Sequence, residues 1–224
     1  MTSWCGMQES IAAVCEQYLR AQVTGDQRTA LRIVREALAR GHSVWSVQQD
    51  VVQAAQREIG RMWQENRLSI AHEHMATAIS QMALVHLFER APVPRSRGRT
   101  IVVACVEGEL HDLPARLVAD YLEMDGFTVR YLGANVPTES LCAALVEAPP
   151  DLLGLSVTMS FNVAGLRAAV AAVRQRLPGL KIAAGGHALV WAPELAGQLG
   201  VIVVVGGGPG AIVAALAQQM GGAS

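Results

Sequence analysis

The densest chemistry in the chain lies in one short stretch, Val106-Glu107-Gly108-Glu109-Leu110-His111-Asp112. With a single residue between Glu109 and His111, the carboxylate can accept a hydrogen bond from one ring nitrogen. The other nitrogen is then left to act as a base or to bind a metal. The alternative for a lone imidazole in such a stretch is a solvated loop residue, and the surrounding elements decide between the two.

Ile101 to Val106 is an apolar run, rich in β-branched residues and too short for an independent helix, which predicts a buried strand. Pro114 then opens PARLVADYLEM as a helix, a first-turn position where the missing N–H costs nothing. His111 therefore stands in a loop at the carboxyl end of a strand. In an open parallel sheet that is the edge where ligands bind. Further strands are expected at FTVRYL from Phe127, LLGLSV from Leu152, KIAA from Lys181 and VIVVV from Val201. Helices alternate with them from near Pro114, Thr138, Asn162, Pro193 and Pro209. This predicts an α/β fold, a flavodoxin-like, doubly wound, parallel five-stranded sheet in the order 2-1-3-4-5. Its carboxyl rim would carry Glu109 and His111, Gly133 to Pro137, Ser156 to Ser160, Gly185 to His187, and Gly206 to Gly208.

Upstream, Met7 to Phe88 reads as helix throughout. Gly25 breaks the first helix and Asp26 caps the second; Ser43 caps a third that closes near Trp63, and Ser69 caps a fourth. Short loops between them predict an N-terminal four-helix bundle over residues 1–92. Arg90 to Thr100, with two prolines, a glycine and a cluster of arginines, reads as a solvated linker, and the α/β domain spans 98–224.

Of the 224 residues 51% are apolar, the net charge is −1 and the pI about 6.6, so no global positive field favours nucleic acid. Lys181 is the only lysine, which removes lysine-based catalysis elsewhere. Cys5, Cys15, Cys105 and Cys142 show no zinc-like spacing and are expected to be structural. No secretory leader pattern or membrane-spanning run is present, and a cytoplasmic protein is expected. Common occupants of such a sheet fit poorly. A dinucleotide site lacks its glycine-rich first turn, and Glu107 and Glu109 would repel pyrophosphate. A phospho-receiver lacks the aspartate ending its third strand, and a zinc enzyme lacks clustered ligands. A metal that brought most of its own ligands would need only one from the protein.

On these residues the second domain resembles the cobalamin-binding domain family, whose pattern is Asp-x-His-x-x-Gly, then Ser-x-Thr or Ser-x-Leu, then Gly-Gly. The matching positions are Glu109-Leu110-His111-Asp112-Leu113-Pro114, Ser156-Val157-Thr158 and Gly185-Gly186. Glu109 stands for the usual Asp and Pro114 for the usual Gly, which stiffens the loop. The resemblance implies that His111 replaces the cofactor's own benzimidazole as lower ligand to cobalt. It also implies that Glu109, Asp112, Leu113, Ser156, Thr158, Gly185, Gly186, His187, Gly206 and Gly207 belong to the cofactor site. Their glycines would clear a slot for the nucleotide tail.

Trp63, nine intervening residues, then Glu73-His74 resembles the helical cap of light-sensing adenosylcobalamin proteins. The resemblance implies a bundle that caps the upper corrin face, with Trp63, Glu73 and His74 at the cofactor. Some relatives carry a His beside the Trp that binds cobalt after photolysis. Gln64 occupies that position here, leaving His74, or His72, for the role. The expectation is a non-catalytic light sensor or regulatory protein with adenosylcobalamin bound base-off, His-on. Breaking the cobalt–carbon bond would change cap, oligomeric or partner contacts. No membrane or direct nucleic-acid partner is expected, since the first helix starts near Met7 with no DNA-binding segment before it. A bilin as second chromophore is left undecided. The main alternative is the corrinoid carrier of a methyltransferase system; a cobalamin store or chaperone is a third reading. His42 and His86 are expected to be structural and without partners, and Trp45, Met82 and Trp191 to be packing residues.

Overall fold

The computed structural model describes residues 9–204 and 208–220, and the chain divides into two compact units, Met1–Ala91 and Pro92–Ser224. In the first unit, α1 (Ile11–Thr24) starts at Ser10, whose hydroxyl accepts from Ala13 N–H, and stops at Gly25. Asp26 Oδ1 accepts from Thr29 N–H at 3.0 Å and so opens α2 (Gln27–Ala39). Ser43 caps α3 (Val44–Ser46), which runs through a π-helical stretch, Val47–Gln53, into α4 (Ala54–Gln64). Ser69 caps α5 (Ile70–Phe88). These are the four expected helices, with one local surprise. The third is widened over seven residues, and the broader turn brings Val47, Val51 and Val52 together into the core, each fully buried.

The second unit alternates strand and helix. β1 (Thr100–Cys105), α6 (Leu113–Met124), β2 (Thr128–Gly133), α7 (Thr138–Glu147) and β3 (Leu152–Ser156) are followed by a 3-10 turn, Ser160–Asn162. Then come α8 (Val163–Arg176), β4 (Lys181–Gly185), α9 (His187–Trp191), α10 (Glu194–Leu199), β5 (Ile202–Val204) and α11 (Gly208–Gln219). All pairings are parallel and the order is β2-β1-β3-β4-β5, as the sequence pattern predicts. Residues 101–105 are all buried because helices cover both faces of β1. On one face Val102, Ala104, Leu153, Leu155, Ile182 and Ala184 meet Leu141, Leu145, Leu166 and Val170 of α7 and α8. Each Val, Leu or Ile side chain among them contributes about 1.5–3 kcal/mol on burial.

Several surface expectations need correction. The arginines after Arg90 are not simply solvated. Arg97 pairs with Asp125 at 2.7 Å and stacks over Phe127, and Arg99 pairs with Asp151 at 2.8 Å, so the segment is tied to the α/β unit. Trp191 and Met82 are 79% and 44% exposed and are not core residues, because the short helix α9 turns Trp191 outward. His42 and His86 have partners, in the Glu9 carbonyl and Arg90 respectively. Among the described cysteines Cys105 and Cys142 are buried and Cys15 is half-buried; Cys5 lies outside the described residues. Among the described residues no helix is long and apolar enough to cross a membrane.

Candidate functional site

The carboxyl ends of three strands lie in register, Cys105 beside Ser156 and Ser156 beside Gly185. After β1 the chain turns immediately, Glu109 N–H donating to Val106 O at 2.9 Å. Gly108 takes φ 87° in this turn, a conformation costly for other residues, and a Cβ there would lie 3.0 Å from Asn162 Oδ1. Asn135 pins the turn from the loop after β2. Its Oδ1 accepts from Gly108 N–H and its N–H donates to Glu109 O, both at 2.8 Å. Glu107 faces away and accepts from Thr138 N–H in the first turn of α7 at 3.2 Å.

Glu109 is the centre of the arrangement. Its side chain is fully buried, and both oxygens are saturated with donors. Oε1 accepts from His111 N–H at 2.9 Å and sits 2.7 Å from His111 Nδ1. Oε2 accepts from Thr158 N–H at 2.8 Å, Met159 N–H at 2.9 Å and Asn162 Nδ2 at 3.0 Å. Burial alone would push this carboxyl up. The donors from His111, Asn162 and the Met159 backbone overcome it and hold the group down at about 2. An ionised carboxylate thus fixes Nδ1–H as the protonated ring position and leaves the ring's lone pair at Nε2, the atom through which an imidazole so held could bind a metal.

The rest of the loop is braced from below. Tyr131 hydroxyl donates to Asp112, at 3.2 Å to its carbonyl and 3.1 Å to Oδ2, and Arg116 stacks over the Tyr131 ring while pairing with buried Asp120 at 2.7 Å. Leu113 is buried at the start of α6. Cys105 is no nucleophile: burial, with the charges of Asp112 and Glu109, pushes its thiol up to about 12. Ser156 is buried, and Thr158 Oγ1 is buried without a hydrogen-bond partner among the described residues. Gly185 and Gly186 have a more local reason than clearing a slot. A Cβ at Gly185 would lie 2.7 Å from Val204 O, and at Gly186, where φ is 112°, 2.1 Å from Val157 O. The space is taken by neighbouring backbone. His187 opens α9 and stacks on Trp191 at 5.8 Å; Gly206 and Gly207 lie outside the described residues.

In the helical unit Trp63 is half-buried in the last turn of α4. Glu73 and His74 share the first turns of α5, with Glu73 Oε2 2.8 Å from His74 Nδ1 and the His74 side chain 70% exposed. His72 Nδ1 lies 2.7 Å from Ser69 Oγ. Sequence reasoning missed Asn135, Asn162 and Tyr131. The only signals were a polar residue between Gly133 and Pro137 and another at a helix start.

Among the described residues no three His, Cys, Asp or Glu side chains gather around a metal position. The donor set is one imidazole with a buried carboxylate behind it and the unsatisfied hydroxyl of Thr158, whose own N–H donates to that carboxylate. That set fits a metal held in its own macrocycle and anchored by a single protein ligand.

The comparisons with known proteins agree. Two family models, each described as a B12 binding domain, match residues 99–216 and 14–87. The HTH-type transcriptional repressor CarH of Myxococcus xanthus is 33% identical over 132 residues, 58% of this chain and 44% of that protein. Dimethylamine corrinoid protein 2 of Methanosarcina acetivorans is 30% identical over 117 residues, 51% of this chain and 54% of that one. The chain thus spans about half the length of these two relatives. Among solved structures, the Methanosarcina barkeri monomethylamine corrinoid protein superposes with a TM-score of 0.78 at 16% identity, over 94% of this chain and 100% of that one, a likeness of fold. The chain belongs to the B12 binding domain family and is a cobalamin-binding protein.

Proposed function

We propose that this is a light-responsive regulatory protein that holds adenosylcobalamin base-off through His111. His111 Nε2 is the lower ligand, and Glu109 keeps the ring oriented and basic from within the sheet edge. Asp112, Leu113, Ser156, Thr158, Gly185, Gly186 and His187 would bound the path of the nucleotide tail, and Gly206 and Gly207, outside the described residues, are assigned to it from the family pattern alone. The partnerless hydroxyl of Thr158 supports a polar contact there.

The observation that carries the sensor reading is the pairing of Glu73 with His74, two motif residues joined at 2.8 Å with the imidazole largely exposed. Bound adenosylcobalamin supplies a cobalt–carbon bond that light breaks. Trp63 would shield the adenosyl group, and His74 is the imidazole that would hold the cobalt once that group has left. His72 comes second, because Ser69 already engages its Nδ1. The similarity to a relative named a transcriptional repressor also favours a regulatory role. That relative is named HTH-type, which stands against extending the expectation of no nucleic-acid contact from this chain's charge to its family.

The second reading, the corrinoid carrier of a methyltransferase, is favoured by the corrinoid proteins among the relatives and by the fold match. One experiment separates them. The protein is loaded with adenosylcobalamin, and its absorption, hydrodynamic size and binding of partner protein or DNA are recorded before and after green light. The sensor reading expects a lasting spectral change coupled to altered size or binding. No change in either size or binding, with methyl transfer from a methyl donor to the reduced cofactor, would establish the carrier.

A further inference from the structure

Consecutive residues on a helix point about 100° apart and do not normally face one another. Glu73 and His74 nevertheless meet at 2.8 Å, so something turns the carboxylate toward its neighbour. Thr77, one turn further on α5, donates its hydroxyl to Glu73 Oε1 at 2.8 Å. Gln56 on α4 donates Nε2 to Thr77 Oγ1 at 2.7 Å and approaches Glu73 Oε1 at 3.4 Å. Behind Gln56, Ser80 donates to Gln56 Oε1 at 3.0 Å and accepts from Gln22 Nε2 at 2.8 Å. Gln22 and Ser80 are fully buried, and Gln22 Oε1 has no hydrogen-bond partner among the described residues.

A polar chain through a bundle core costs stability where it is incompletely satisfied, and apolar residues of the same volume would serve packing better. Its directionality is informative. Each donor faces outward along the chain, from Gln22 and Ser80 through Gln56 and Thr77 to one oxygen of Glu73, which leaves the other oxygen for His74 Nδ1. We infer that Gln56 and Thr77 are positioning residues that hold Glu73 against His74 Nδ1, so that Nε2 of this exposed imidazole carries the lone pair. His74 then has the same construction as His111, whose Nδ1 lies 2.7 Å from Glu109. This inference rests on the proposal that His74 takes the upper position after illumination, but it adds residues that reach the metal only through Glu73.

The test begins without cofactor. Nitrogen-15 NMR of the full chain reads the His74 tautomer in the parent and in Thr77→Val, Gln56→Met and Thr77→Ser. The Nδ1–H tautomer is expected to dominate in the parent, to lose its dominance in Thr77→Val and Gln56→Met, and to be restored in Thr77→Ser, which keeps the hydroxyl. If Gln56→Met does not fold, the two Thr77 variants carry the comparison alone. The second measurement uses the illuminated, cobalamin-loaded protein and titrates azide against the upper ligand. Thr77→Val should need about 10–100-fold less azide for half displacement, the usual cost of losing such an outer partner. An unchanged tautomer in Thr77→Val overturns the inference, as does an unchanged azide titration in Thr77→Val when His74→Ala does alter the illuminated spectrum. If His74→Ala leaves that spectrum as in the parent, the ligand role fails, and the tautomer measurement alone decides whether Gln56 and Thr77 position the ring.

Discussion

Glu109→Gln is the most informative single change at the site. Gln has one acceptor oxygen where Glu109 offers two, and five donors converge on them. If the amide oxygen faces His111, the new NH2 points at the Thr158 and Met159 amides; if it is flipped, it points at His111. The first orientation strands three donors, the Asn162 amide included, and the second strands two, at about 1–3 kcal/mol each when buried. The lowered carboxyl value expresses the same contacts as a free energy. The carboxyl moves from 4.5 to about 2 on folding, and at about 1.4 kcal/mol per unit this is about 3 kcal/mol. The folded value is the lower one, so this stabilisation is complete above pH 4.5 and drains away as the pH falls through about 2. The cofactor-free parent and Glu109→Gln should therefore differ by about 3 kcal/mol at pH 7, a urea midpoint shift of about 1–2 M, and by little near pH 2. Methyl NMR of buried Ile101 and Ile182 reads the α/β unit by itself during the titration. A difference below about 1 kcal/mol at pH 7, or one that does not depend on pH, would refute the view of Glu109 as a saturated, ionised anchor. On sequence grounds alone this substitution looks mild, because Gln keeps an acceptor; the donors from the β3 loop make it severe.

His111→Ala should abolish the His-on absorption spectrum and weaken cobalamin binding, while leaving the sheet folded. Unchanged spectrum and affinity would remove His111 as lower ligand. Gly186→Ala should destabilise the α/β unit by at least about 2 kcal/mol, because its φ is 112° and Val157 O blocks the Cβ. Gly179→Ala, with nothing within 4 Å, is the control in the same thermal melts, and equal melting of the two would show that the backbone gives way easily. Trp63→Ala should narrow the preference for adenosylcobalamin over methylcobalamin, since the larger ligand has more apolar surface to lose; identical preferences in competition binding would sink the shielding role.

The sheet was legible because fully buried parallel strands read as apolar runs, and β1, β3 and β4 start within a residue of their expected positions. The helix caps at Asp26, Ser43 and Ser69 were legible because capping is local chemistry. The Glu109–His111 contact is also local, two residues apart. What escaped notice is long-range in sequence. Asn162 lies 53 residues from Glu109 and Asn135 lies 27 from Gly108, and neither residue type announces its distant partner. The π-helical widening is invisible in a pattern of apolar residues three and four apart, which it satisfies nearly as well as an α-helix does. The exposure of Trp191 followed from a five-residue helix too short to show any periodicity.

The buried carboxylate also has an electronic consequence. A full negative charge held against the imidazole Nδ1–H enriches electron density at Nε2, and because the carboxylate itself is buried its charge is little screened on that side of the ring. Of two oxidation states of a metal bound at Nε2, the higher carries more positive charge and gains more from this field. A metal held at Nε2 would therefore be harder to reduce with Glu109 in place than without it, so Glu109→Gln should shift the midpoint potential of the cobalamin-loaded protein to more positive values. A sheet edge built to orient one ring thus also sets how readily electrons reach whatever that ring holds.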